Sequence, residues 1–206
     1  MIADERRRIA DLVASLDDRQ LDTPSLCGRW TVREVAGHLV AAVAVPVWWF
    51  APALLRTGFR LHAANADIAR RVARRPATEL ARELRANADK DFRPPVVGYR
   101  GQLTDLQVHG QDMRRPLGLA HVLRPERLRV SLDFLVSGRA PGFVPKRRKG
   151  GLRFEATDLD WAWGTGPAVR GRAEALMLAL TGRPVVLPEL DGDGVQALNS
   201  RIAASA

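Results

Sequence analysis

Three residues in "TDLQVHGQDMRR" carry side chains that can hold a cation or move a proton: Asp105, His109 and Asp112. Asp105 and His109 are four apart, a spacing that stacks two side chains on one face of a helix. Two ligands one turn apart, completed by a third from a neighbouring helix, is how metal sites are built in helical bundles. His38 lies on a different predicted helix. It sits in "REVAGHLV" at the edge of an apolar helical face, between Val35 and Leu39. Imidazole and carboxylate donors together suit Zn, Ni, Fe or Mn. Three protein ligands leave a position open for water or a thiolate, which marks a catalytic rather than a structural site. Spacing alone leaves a second reading open. D-x-x-x-H arises on helices by chance, and such residues are often solvated or hydrogen-bonded within a core. Asp112 could equally cap the helix or pair with Arg114 or Arg115. His62 and His121 have no recognisable partners and receive no role.

Helices must position these residues, and the apolar periodicity supplies them. Ile9, Leu12, Val13 and Leu16 predict a first helix from about Ala3 to Ser15. Thr31 followed three residues later by Glu34 is a capping-box signature, so the helix carrying His38 starts at Thr31. Val32, Val35, Ala36, Leu39 and Val40 mark its apolar face, and Pro46 ends or kinks it. "FRLHAANADIARRVARR" reads as a third helix, with "ATELARELRANAD" as its continuation or a neighbour after Pro76. "RGQLTDLQVHGQDMRR" is the fourth and ends before Pro116, because proline disfavours helix at the preceding residue. These segments predict an antiparallel bundle of about four helices.

After Gly118 the pattern changes. Pro125 opens a helix over "PERLRVSLDFLV". "LRFEATDLDWAW" alternates and reads as strands, a hairpin around Thr157 and Asp158. "RAEALMLALTGR" is a helix closed by Gly182, and "DGVQALNSRIA" a short last one. The expected fold class is α+β: a helical bundle over 1–119 and a small α/β unit with a short antiparallel sheet over 120–206. Trp161 and Trp163 share one strand face and are expected to bury against the helix of Leu176, Met177 and Leu180.

Composition narrows the classes. A chain of 206 residues with 46% hydrophobic and 27% charged residues is an ordinary globular composition. No apolar run reaches the roughly 18 residues of a membrane span, and the charged start "MIADERRRIA" is no secretory signal, so a cytoplasmic location is expected. The net charge of +9 raises nucleic acid as a partner, but the arginines are scattered among acidic residues, which argues against it. The one dense basic cluster, "PKRRKGG", reads as a loop. Trp48 and Trp49, in an apolar run, read as core or interface. No G-x-S-x-G elbow, Walker loop or dinucleotide fingerprint occurs. Cys27 is the only cysteine, so no intrachain disulfide forms. It is expected not to ligate a metal, since Thr31 to His38 is already about 10 Å along a helix axis.

Three stretches together resemble one family. "DTPSLCGRWTVREVAGHLV", "DLQVHGQDMRRPLG" and "EATDLDWAWGTGPAVRGRAEALMLALTGRP" are similar, in order and spacing, to blocks of the mycothiol-dependent maleylpyruvate isomerases, common in actinobacteria. The resemblance implies a DinB-like four-helix bundle holding a divalent metal, typically zinc. It implies ligands His38, Asp105 and His109, with Asp105 one methylene shorter than the Glu of those isomerases. It implies the thiol mycothiol as cosubstrate and an isomerase or S-transferase activity on a small electrophilic substrate. Arg170 and Arg172 are candidates to hold a substrate's carboxylates. The alternative is a DinB-like metal-binding protein without thiol chemistry, a hydrolase or a binding module. Residues 1–119 are then the metal-binding bundle and 120–206 a small C-terminal domain.

Overall fold

The computed structural model describes residues 1–92, 96–120 and 122–204; His121 lies outside them. The chain forms two compact units, Met1–Phe92 with His109–Ala120 and Arg93–Val108 with His121–Ala206. The division runs between Val108 and His109 along the chain. It falls inside one continuous helix.

The first unit is helical. It contains α1 (Ile2–Ser15), α2 (Asp18–Leu21), α3 (Val32–Ala44), α4 (Phe50–Arg56), α5 (Leu61–Val72) and α6 (Ala77–Ala86). α1 packs on α6, and α3 packs on α5 and α6. α3 begins as predicted. The Thr31 side chain accepts from the Glu34 N–H, and the Glu34 carboxylate accepts from the Thr31 N–H. Its apolar face is closed: Val32, Val35, Ala36, Leu39 and Val40 are all buried. The helix ends at Ala44, ahead of Pro46. α5 and α6 are separate helices either side of Pro76, which resolves the choice between continuation and neighbour. Trp48 is 69% exposed, so it belongs to no core among the described residues.

Two close contacts set this unit's geometry. A Cβ added at Gly37 would lie 2.5 Å from the Ala69 carbonyl oxygen of α5, so α3 and α5 approach more closely there than any side chain allows. That crossing lies one residue before His38. Arg6 on α1 is buried, and its Nη1 donates to the carbonyls of Asn87, Ala88 and Lys90 just beyond α6. The cation therefore ties α1 to the turn that follows α6. Burial pushes its pKa down, opposed by the charge of Asp89.

α7 (Gly98–Arg114) carries the chain from the second unit into the first and ends before Pro116, as expected. It is buried on nearly all sides, yet Gln102, Thr104, Gln107, His109, Gln111, Asp112 and Arg114 are among its buried residues. Buried polar side chains are the informative exception to an apolar interior.

The second unit continues with α8 (Pro125–Val136), α9 (Lys146–Lys149), β1 (Arg153–Ala156), β2 (Ala162–Trp163), β3 (Ala168–Gly171), α10 (Ala173–Leu180) and α11 (Val195–Ala203). The sheet order is β2-β1-β3. β1 pairs antiparallel with β2, as the alternation predicts. β3 pairs parallel with β1, so the sheet is mixed rather than antiparallel. Trp161 is buried and its Nε1 donates to Asp133 Oδ1 at 2.9 Å. Trp163 is half-buried beside Phe154. Both belong to the apolar cluster that includes Leu176, Met177 and Leu180, so the core role holds.

The basic cluster is not a solvated loop. Lys146–Lys149 form a helical turn in which Arg148 and Lys149 are buried. Arg148 Nη1 donates to Leu180 O at the end of α10, and Lys149 Nζ donates to Leu135 O and Val136 O at the end of α8. Each cation meets the negative end of a helix, a favourable pairing.

Candidate metal centre

His38, from the middle of α3, and His109, from α7, have ring centroids 5.0 Å apart at an edge-on angle of 75°. Asp105 lies on the same α7 helix, one turn before His109. His38, Asp105 and His109 each offer one ligand atom, and these atoms lie within 4.8 Å of one another. Ligands held about 2.1 Å from one tetrahedral centre are spaced about 3.4 Å apart. Small side-chain rotations therefore bring the three groups onto one ion. Two imidazoles and a carboxylate form a donor set that zinc accepts. All three residues named from the sequence are brought together.

Three further residues shape the site, and of these only Asp112 stood out in the sequence. Asp112 is fully buried, and its Oδ2 lies 2.8 Å from His109 Nδ1. A carboxylate there puts the proton on Nδ1 and leaves the lone pair on Nε2, the arrangement metal-ligating histidines use. Asn65 of α5 sits 3.4 Å from His38 Nδ1 through its amide nitrogen. The Trp30 ring lies 5.3 Å from the His38 ring and 6.4 Å from the His109 ring, walling one side of the pair. The only sequence signal for Trp30 was its place just before the capping Thr31.

Cys27, expected not to ligate a metal, lies beside two of these residues. Its sulfur and the ligand atoms of His109 and Asp112 also lie within 4.8 Å of one another. Distance along the α3 axis excluded it in the sequence, but Cys27 does not lie on that axis. The loop before α3 folds back, with Ser25 N–H donating to Trp30 O and Leu26 N–H to Asp112 O. That last bond pins the loop to α7.

Arg170 and Arg172 lie in the second unit. Arg170 on β3 bonds Glu155 of β1 at 2.7 Å, and Arg172 is 3.3 Å from Asp158. Arg153 also contacts Glu155. Hydrogen bonds from Arg153 and Arg170 hold the Glu155 carboxyl below its ordinary range.

Residues 2–90 match the family model for the mycothiol maleylpyruvate isomerase N-terminal domain. The matched segment is 89 of the 206 residues. It contains α1 to α6, and with them His38 of the candidate centre. Among solved structures, a mutant of the mycothiol-dependent maleylpyruvate isomerase is 12% identical, with a TM-score of 0.49 over 94% of this chain and 93% of that one. A second structure of that isomerase is 15% identical, with a TM-score of 0.47 over the same shares. No curated protein matches the chain. No helix among the described residues is long and apolar enough to cross a membrane.

Proposed function

We propose that this protein is a divalent-metal-dependent enzyme that uses a low-molecular-weight thiol, mycothiol, as cosubstrate. Its activity is that of an isomerase or S-transferase on a small electrophilic, acidic substrate. His38, Asp105 and His109 hold the ion, which is zinc. The observation that carries the reading is the convergence of these three donors, one of them a histidine already oriented by a buried carboxylate. The N-terminal domain match supports the thiol. Residues 1–119 supply the metal ligands, and residues 120–206 form a small α/β domain that serves substrate recognition.

A bound zinc ion supplies Lewis acidity, which keeps a thiol ionised, and so nucleophilic, at neutral pH. The residues do the rest. Asp112 fixes the tautomer and plane of His109, and Asn65 restrains the His38 ring. Trp30 covers one side of the imidazole pair with an apolar surface and limits water there. Arg170 and Arg172 would take a substrate's carboxylates only by exchanging Glu155 and Asp158 for them.

Metal content and thiol dependence test the reading together. The purified protein should carry divalent metal, lose it on His38→Ala, Asp105→Ala or His109→Ala, and turn over an acidic electrophile only when mycothiol is supplied. Metal retention with turnover indifferent to mycothiol would leave a DinB-like hydrolase or binding module instead. A metal-free protein unchanged by these substitutions would end the proposal.

A further inference from the structure

The chain's only thiol lies at the metal centre rather than apart from it. Cys27, His109 and Asp112 form a second three-donor set, with ligand atoms within 4.8 Å of one another, and share His109 with the first set. The placement of Cys27 is built into the backbone. Cys27 N–H donates to Ser25 Oγ, Trp30 N–H donates to Cys27 O, and Leu26 N–H donates to Asp112 O beside it. A β-bridge between Pro24 and Thr31 closes the same loop. Asp112 is fully buried and His109 nearly so, while Cys27 is half-buried. The loop therefore holds the sulfur against one edge of an enclosed imidazole–carboxylate pair.

We propose that Cys27, His109 and Asp112 constitute a sulfur-containing metal site that takes a thiophilic divalent ion such as Zn²⁺, Co²⁺ or Cd²⁺. The inference rests on metal binding at His109, the reading given above, but adds a donor that reading does not use. On binding, the ion displaces the proton shared by His109 Nδ1 and Asp112 Oδ2. The Cys27 thiol also gives up its proton, and both protons leave to solvent, as metal binding to protonated ligands requires. A thiolate, an imidazole and a carboxylate form a donor set for a soft-to-borderline ion, whereas His38, Asp105 and His109 offer no sulfur. The two sets share His109 but use its two ring nitrogens, Nε2 with His38 and Asp105 and Nδ1 with Cys27 and Asp112, so they define two ion positions at one histidine.

Cobalt substitution reads the sulfur directly. Co²⁺ titrated into the metal-free full-length protein should produce visible d–d absorption together with a near-ultraviolet sulfur-to-cobalt charge-transfer band. Cys27→Ser should lose the charge-transfer band and keep d–d absorption from the His38 set. His38→Ala should keep the charge-transfer band. Because Cys27 is the sole cysteine, alkylation followed by mass measurement offers a second readout. Cd²⁺ should slow alkylation of Cys27 in the His38→Ala protein. Cobalt bound with d–d absorption but no charge-transfer band, or alkylation indifferent to Cd²⁺, would overturn this site and leave the His38 centre standing. Absence of any cobalt absorption would remove both.

Discussion

His109 Nδ1 and Asp112 Oδ2 are 2.8 Å apart in a pair that water scarcely reaches. One turn of α7 thus carries both a candidate ligand and the group that orients it. A partner of this kind affects metal affinity without touching the ion bound at the other ring nitrogen. Asp112→Asn should therefore weaken zinc binding by about 10–100-fold. Competition with a chromophoric chelator measures this, and unchanged affinity would detach Asp112 from the centre.

Asp105 is the acidic member of the set and lies on the same helix as His109. Asp105→Asn removes the charge but not the volume. It should cost more metal affinity than Asp112→Asn, since the change falls on a ligand rather than on its support. Asp105→Glu restores the carboxylate with one more methylene and should recover most of the binding. Isothermal titration with Zn²⁺ on the three proteins ranks them. Equal affinity for the Asn and Glu variants would show that the carboxylate does not ligate.

Gly37 allows α3 to approach α5 one residue before His38. A methyl group there would stand 2.5 Å from Ala69 O and 2.8 Å from Ala73 N, both backbone atoms that cannot rotate away. Gly37→Ala should destabilise the protein by about 1–3 kcal/mol despite alanine's better helix propensity. Urea unfolding supplies the number. A stabilised variant would mean that the two helices separate freely.

Glu155 links the sheet surface to pH. Its carboxyl is held below the ordinary value of 4.5, first by the hydrogen bond from Arg153 and then by that from Arg170. The folded state therefore binds the proton less readily than the unfolded chain. The stability this contributes is complete above the unfolded pKa and is lost as pH falls through the depressed folded one. Glu155→Gln should flatten that part of the acid limb of a stability-versus-pH curve and leave the curve near neutrality without this slope. An acid limb unchanged in shape would show that the pairing is too weakly held to matter.

Local physics was legible in the sequence. The Thr31–Glu34 capping box, the proline stops at Pro46 and Pro116 and the apolar stripe of α3 depend on neighbours within a few residues, which the sequence displays directly. The Asp105–His109 spacing needed only the pitch of a helix. His38 was found from its motif and from its place at the edge of an apolar face.

Other features depended on segments distant in sequence. β3 pairs with β1 because the chain returns in parallel, and nothing in "AVRG" announces a partner. Arg148 and Lys149 resemble a solvated charge run until the ends of α8 and α10 arrive to accept their hydrogen bonds. Asn65 reaches His38 only because Gly37 lets α5 come close. Cys27 reaches His109 because Leu26 N–H bonds a carbonyl on α7 rather than solvent. The sequence by itself determined the helices and the ligand types they carry, since these follow from short-range sterics and periodicity. Which side chains meet depended on loop closure and helix crossing, whose energies come from contacts between distant segments, so only the tertiary structure decided it.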